Sequence, residues 1–202
     1  MALWIVAGCS ALSAIGGATA ALDVFELRIP QNLPSVGGSP LARDVVVTVP
    51  AASGALNTDR IMIRPSPLQA AFLPGVRWSE PAPVMVQTLM IQTLNGTQGI
   101  RFVGRQPVGV VGDYAILTEL TDFQAEANPE GKDATIRMRL TARLVRENDT
   151  AIIASRTFLA SAPSASTDAD DIVVAFDQAM QRLLLDFANW TMARLGRPLP
   201  SS

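Results

Sequence analysis

From Thr135 to Arg146 apolar and polar residues alternate: Ile136, Met138, Leu140, Ala142 and Leu144 interleave with Arg137, Arg139, Thr141 and Arg143. Successive side chains of a strand point to opposite faces, so this segment is a long strand with one dry and one wet face. A strand half-buried in this way suits an antiparallel sheet covered on one side only. Its neighbours fit that role. Tyr114 to Ala127 runs into the turn Asn128-Pro129-Glu130-Gly131, and Glu147-Asn148-Asp149 leads into Ala151 to Ser161. The expectation is a three-stranded antiparallel meander.

The cover for its dry face is a long helix from about Asp168 to Leu195. Ile172, Phe176, Met180, Leu183, Phe187 and Trp190 recur at three- and four-residue steps and form one broad apolar face. Thr167 with Asp170 reads as a capping box, while Arg194, Gly196 and Pro198 mark the stop. A shorter helix is expected from Ser79, with Ser79 as its cap and Glu80 at the positive end of its dipole. Pro81 and Pro83 fit only a first turn. Val84, Met85, Leu89 and Leu94 give its apolar stripe, and Gly96 ends it. Trp78 is read either as an exposed aromatic anchor for a partner or, preferred, as the plug between hairpin and first helix.

Short strands are expected from Asp23 to Pro30, Val45 to Val49, Arg60 to Arg64, Ala70 to Trp78 and Gly99 to Gly104, with a loop from Gln31 to Pro40. Ala70 to Trp78 is punctuated by Pro74 and Gly75, which suits an edge strand or hairpin. The fold class is therefore α+β: an antiparallel meander sheet with two helices packed on one face, the C-terminal one long. The chain divides into a leader and tether (1–22), one domain (23–196) and a tail (197–202).

Chemistry is bounded by what the 202 residues lack. There is no histidine, one cysteine (Cys9) and one lysine (Lys132) among 16 basic residues. The usual general base, zinc ligand and thiol nucleophile are thus missing from the domain, and a serine hydrolase would have to act without imidazole. No cofactor or metal is expected. A net charge of −2 gives no global attraction to nucleic acid.

Cys9 closes the tetrad Val6-Ala7-Gly8-Cys9, a lipobox pattern followed by a charge-free run of small residues through Leu22. Cleavage before Cys9 and thioether lipidation of the new N-terminus is the first reading. Eight uncharged residues precede it, so either the start lies upstream or the cysteine is a small buried hydrophobe. The second reading is cleavage after Ala18-Thr19-Ala20, which leaves a soluble product beginning at Ala21. The third retains Ala2 to Leu22 as a membrane span. All three put the folded part outside the cytoplasm.

Arg137, Arg139 and Arg143 form a cationic row on the wet strand face, able to meet phospholipid head groups or acidic partner residues. The blander reading is a solvated face balanced by carboxylates. Glu119, Asp122 and Glu126 lie on the preceding strand; Asp122 and Glu126 share a parity while Glu119 points the other way, so the three do not converge without a bulge. They are therefore cross-strand partners for the arginines rather than an acid/base pair or a Ca²⁺ site.

The segments ALDVFELRIP, TDRIMIRPSP, VRWSEPAPVMVQTLMIQTL, YAILTELTDFQAE, RMRLTARLV and VVAFDQAM, in this order, resemble the ABC-type transport auxiliary lipoprotein family, in particular its paraquat-inducible PqiC-type branch. The resemblance runs from Cys9 to about Met192 and rests on order and coverage. It implies an outer-membrane lipoprotein facing the periplasm of a diderm bacterium, lipidated at Cys9. Ser10 in second place implies sorting to the outer membrane. It also implies a non-enzymatic role beside ABC transporters of the mammalian-cell-entry (MCE) class, which move lipids or other hydrophobic molecules between membranes. The expected partner is an MCE-domain protein, with a homo-oligomer a further option. Two other classes remain open: an envelope lipoprotein that regulates cell-wall synthases, and a carrier that shields a hydrophobic ligand itself.

Overall fold

The structure is a computed structural model that describes residues 21–109 and 111–200. Cys9 and the leader through Ala20 lie outside the described residues. Eleven elements follow in chain order: β1 (Asp23–Phe25), β2 (Leu41–Val47), β3 (Ala51–Ala52), β4 (Arg60–Ser66), β5 (Gln69–Trp78), α1 (Ala82–Gly96), β6 (Ile100–Gly104), β7 (Tyr114–Ala127), β8 (Ala134–Arg146), β9 (Ala151–Pro163) and α2 (Ala169–Arg194).

The expected meander is present. β7 pairs antiparallel with β8 from Tyr114↔Arg146 to Ala127↔Ala134, and β8 pairs antiparallel with β9 from Thr135↔Pro163 to Arg146↔Ala151. A simple antiparallel sheet it is not. The other long edge of β7 is shared end to end by β2, β3 and β4, all parallel to it, and β2 pairs parallel with β6. β4 and β5 form an antiparallel hairpin, and β1 runs parallel to β5. Nine strands thus make one mixed sheet among the described residues. Hydrophobic period assigns a strand its faces but not its partner or direction, which is why these parallel pairings had no sequence signature.

Both helices cover one side of this sheet and touch each other. α2 lies on β8 and β9, where Phe158 meets Phe187 at 5.9 Å and Trp190 at 5.7 Å between ring centroids. Ile172, Phe176, Met180, Leu183, Phe187 and Trp190 are all buried, as their spacing predicts. On β8, Ile136, Met138, Leu140, Ala142 and Leu144 face the helices and are buried. Trp78 is fully buried and packs on Phe123 of β7 and Phe176 of α2, at 6.0 and 5.3 Å, so it is a core residue and not an exposed anchor.

The helix ends differ from expectation. α1 begins at Ala82 with Pro81 as its N-cap residue; the Ser79 amide instead donates to the Phe25 carbonyl and joins the strand network. Gly96 stays helical, Thr97 caps the end, and Gln98 rather than a glycine takes the left-handed φ of 56°. α2 starts after Asp168, and Ser166, not Thr167, organises the turn: its hydroxyl accepts from the Asp168 amide at 3.0 Å and donates to Asp171 Oδ2 at 2.7 Å.

Two buried polar side chains stitch layers together. Gln87 on α1 donates to the Val47 carbonyl at 2.8 Å and accepts from Arg105 Nη1 at 3.1 Å. Gln87→Ala strips a buried carbonyl and a guanidinium of their partner, and should lower stability by about 2 kcal/mol in chemical denaturation. On α2, Asp177 takes the Arg28 amide on Oδ1 at 2.9 Å and Arg28 Nε and Nη2 on Oδ2 at 3.1 and 2.6 Å. Gln181 Nε2 adds 2.7 Å to Oδ2. This fork fixes the stretch after β1 to the helix. The hydrogen bond first, and the charge of Asp177 second, raise the Arg28 guanidinium above its ordinary pKa.

Candidate functional site

Among the described residues no element covers the side of β7–β8–β9 turned away from the helices, and the arginine row and the three carboxylates singled out in the sequence lie on it. Arg137, Arg139 and Arg143 all project there, because they alternate with the buried residues of β8. Their cross-strand neighbours on β7 are Gln124, Asp122 and Leu117, and those on β9 are Ser161, Leu159 and Ser155.

A β-bulge sets this constellation. Pairing steps from Leu120↔Leu140 directly to Asp122↔Arg139, leaving Thr121 unopposed. The extra residue flips the parity of β7. Glu119, opposite Thr141, therefore shares the outer face with Asp122 and Glu126 instead of pointing the other way. The parity argument for Glu119 fails for that reason alone, since an inserted residue leaves no mark on hydrophobic period.

The bulge brings the three carboxylates Glu119, Asp122 and Glu126 to one face. Among the described residues no group of three His, Cys, Asp or Glu side chains is placed to hold a metal ion. Two of them pair across the strands: Arg137 Nε donates to Glu126 Oε2 at 2.6 Å, and Arg139 Nε donates to Asp122 Oδ2 at 2.8 Å. These arginine side chains are about half exposed, at 57% and 49%, so the pairs fix geometry more than they stabilise the fold. Arg143 has no carboxylate within ion-pair distance among the described residues, and so retains its charge for another partner.

Apolar side chains are interleaved with these charges. Leu117 is 42% exposed beside Arg143, and Leu159 is 63% exposed beside Arg139. A shallow groove of about 260 Å³ runs between Asp122, Arg137, Arg139, Leu159 and Ser161, and a wider one of about 690 Å³ continues from Asp122 and Glu126 to Arg64 and Pro67. Among the described residues β9 pairs with β8 alone, which leaves its far edge without a strand. The Ser164 amide points to the Ala134 carbonyl of β8, so Ser161, Leu159 and Thr157, of opposite parity, turn their backbone groups outward. Only Ser161 has a partner there, Arg182 of α2 at 3.1 Å. No nucleophile–base pair is assembled on this face. What it offers is a surface: paired charge, one free guanidinium, exposed leucines and a strand edge.

Known proteins can now be compared with this arrangement. Residues 25–188 match the family model described as the ABC-type transport auxiliary lipoprotein component. The crystal structure of protein XCC0632 from Xanthomonas campestris, of the DUF330 family, superposes with a TM-score of 0.77 at 24% identity, covering 88% of this chain and 97% of that one. A second crystal structure, of an uncharacterized protein, gives a TM-score of 0.65 at 15% identity over 85% of this chain and 99% of that one. At these identities the two structures establish the shared fold. No curated protein matches the chain. No helix among the described residues is long and apolar enough to cross a membrane.

Proposed function

The chain belongs to the family of ABC-type transport auxiliary lipoprotein components, and from that premise we propose that it is a lipid-anchored, non-enzymatic docking subunit of an envelope transport system. Its cargo is lipids or other hydrophobic molecules passed between membranes. Its anchor is thioether lipid on Cys9 in the outer membrane, with the domain facing the periplasm. Its partner is an MCE-domain protein of the transporter.

The observation that carries the docking role is the uncovered face of β7–β8–β9. Protein interfaces combine exposed apolar anchors with arginine and a polar rim. Leu117, Leu159 and Arg143 provide those parts on a rigid sheet. Arg143 calls for an acidic residue on the partner, and Leu117 and Leu159 call for apolar contact around it. The pairs Arg137–Glu126 and Arg139–Asp122 already neutralise the rest of the row, so the partner need not be strongly acidic.

Substitution at the exposed leucines tests this reading. Leu117→Glu together with Leu159→Glu should cut recovery of the transporter partner in mild detergent by about tenfold or more, the scale expected from losing hot-spot contacts. Membrane attachment and circular dichroism should stay as in the wild type. Unchanged recovery would remove this face from the docking role.

A further inference from the structure

The β4–β5 hairpin tip is exposed at every residue from Pro65 to Ala70, and none of those six residues is charged. Leu68 at its apex is fully exposed, at 100%. The turn is closed by the pair Ser66↔Gln69, and Arg64 Nη1 donates to the Pro67 carbonyl at 3.4 Å behind it. An isolated exposed leucine is ordinary; an apolar apex held out on a braced turn whose six tip residues carry no charge is less so.

Chain direction places the tether on the same side. β1 runs parallel to β5, with Asp23 beside Val76, and β5 itself begins at the hairpin turn. The chain ahead of Asp23 therefore enters β1 from the hairpin-tip side. From Val76 back to Gln69 is roughly 23 Å at about 3.3 Å per residue. The stretch from Cys9 to Asp23 reaches about 50 Å when extended. The tether is thus long enough to reach beyond the tip, and a bilayer holding Cys9 can meet Leu68. The other end of the sheet, at the β8–β9 turn around Asn148, lies roughly 40 Å from the turn of β7–β8 along the β8 ladder.

We propose that the hairpin tip from Pro65 to Ala70 is a membrane-contact element, with Leu68 inserted among the lipids of the bilayer that holds the anchor. This rests on the reading of Cys9 as lipidated. Pro65 and Pro67 favour lipid over a protein strand as the occupant, because they offer no N–H to extend a sheet. The missing charge at the tip avoids the cost of carrying an ion below the head groups. The arrangement turns the tether and one apolar tip into two points of contact. It orients the β8–β9 turn away from the membrane, toward the space the transporter occupies.

Site-specific fluorescence on the full-length lipidated protein tests it. Leu68→Cys and Asn148→Cys are labelled with an environment-sensitive nitrobenzoxadiazole group and reconstituted in phosphatidylethanolamine–phosphatidylglycerol vesicles containing a spin-labelled lipid. The label at residue 68 should shift to the blue and lose about half its intensity to the quencher, as expected for an interfacial group. The label at residue 148 should behave as in water. Vesicle-bound protein with both labels aqueous, or both quenched equally, overturns the proposal and leaves the anchor reading standing. A wild-type protein that takes up label at Cys9 and does not float with vesicles overturns the anchor reading, and this proposal with it.

Discussion

Cys9→Ala should release the protein from the membrane fraction entirely. A single acyl chain binds a bilayer only marginally and reversibly, whereas two or more give stable anchoring. The diacylglycerol thioether proposed for Cys9 would supply at least two. Loss of the only cysteine removes the attachment atom, so the ratio of membrane-bound to soluble protein should fall by more than about 100-fold. The hairpin tip does not offset this, since one leucine contributes only about 2 kcal/mol of apolar transfer. Fractionation with intact mass determination checks the expectation. The wild type should weigh the chain from Cys9 plus diacylglycerol and one acyl group, and the variant should lack that addition. A wild-type mass beginning at Ala21, in the soluble fraction, would instead support cleavage after Ala18-Thr19-Ala20.

Phe176→Ala should be the most damaging single truncation in the domain. Phe176 is fully buried on α2 and contacts both Trp78, from the end of β5, and Phe123, on β7, the latter at 5.1 Å. These three rings join the hairpin of the first half, the central strand and the C-terminal helix at one point. Emptying this corner of the trio leaves a cavity that three separate elements would have to move to fill, so relaxation is limited. A loss of about 3–5 kcal/mol follows from such phenylalanine truncations. That is a large share of the roughly 5–15 kcal/mol by which domains are stable. The melting temperature should drop by roughly 6–20 °C, using about 2–4 °C per kcal/mol for a domain of this size. Phe176→Leu, which retains most of the volume, should cost less than half as much. Equal melting points for the alanine variant and wild type would mean the aromatic trio does not couple the two halves.

The sequence was informative where one periodicity decided one question. Alternation along β8 revealed which residues are dry and which are wet, and three- and four-residue spacing in α2 revealed its whole buried face. Helix ends were less legible, because several residues near each end can cap and tertiary contacts choose among them. Ser79 has the right chemistry for a cap, yet its amide serves β1; Ser166 takes the role assigned to Thr167. β3, two residues long, is too short for any pattern. β5 ran through Pro74 and Gly75 despite both. Before Val76 it pairs only with β4 among the described residues, so the missing N–H of Pro74 breaks no ladder on the free edge, and Gly75 takes a φ of 77°.

The outer face was half legible for the same reason. The arginine row followed directly from alternation in β8, and its ion pairs with Asp122 and Glu126 from the register of a hairpin. The bulge at Thr121 could not be seen, and with it the arrival of Glu119 on that face. The exposed leucines had no signal of their own. Leu159 sits at a position indistinguishable by residue type from a core site, and only the burial of Phe158 on the opposite parity shows which way it points.

Recovery of the wild-type protein from native membranes in mild detergent, with mass-spectrometric identification of what accompanies it, tests the transport role most directly. An MCE-domain protein together with the permease or ATPase of an ABC transporter should co-purify with the Cys9-lipidated chain, and should be lost from the Leu117→Glu, Leu159→Glu variant. Lipidated protein that brings down cell-wall synthases, or no transporter subunit under conditions that keep a known envelope complex intact, would contradict it.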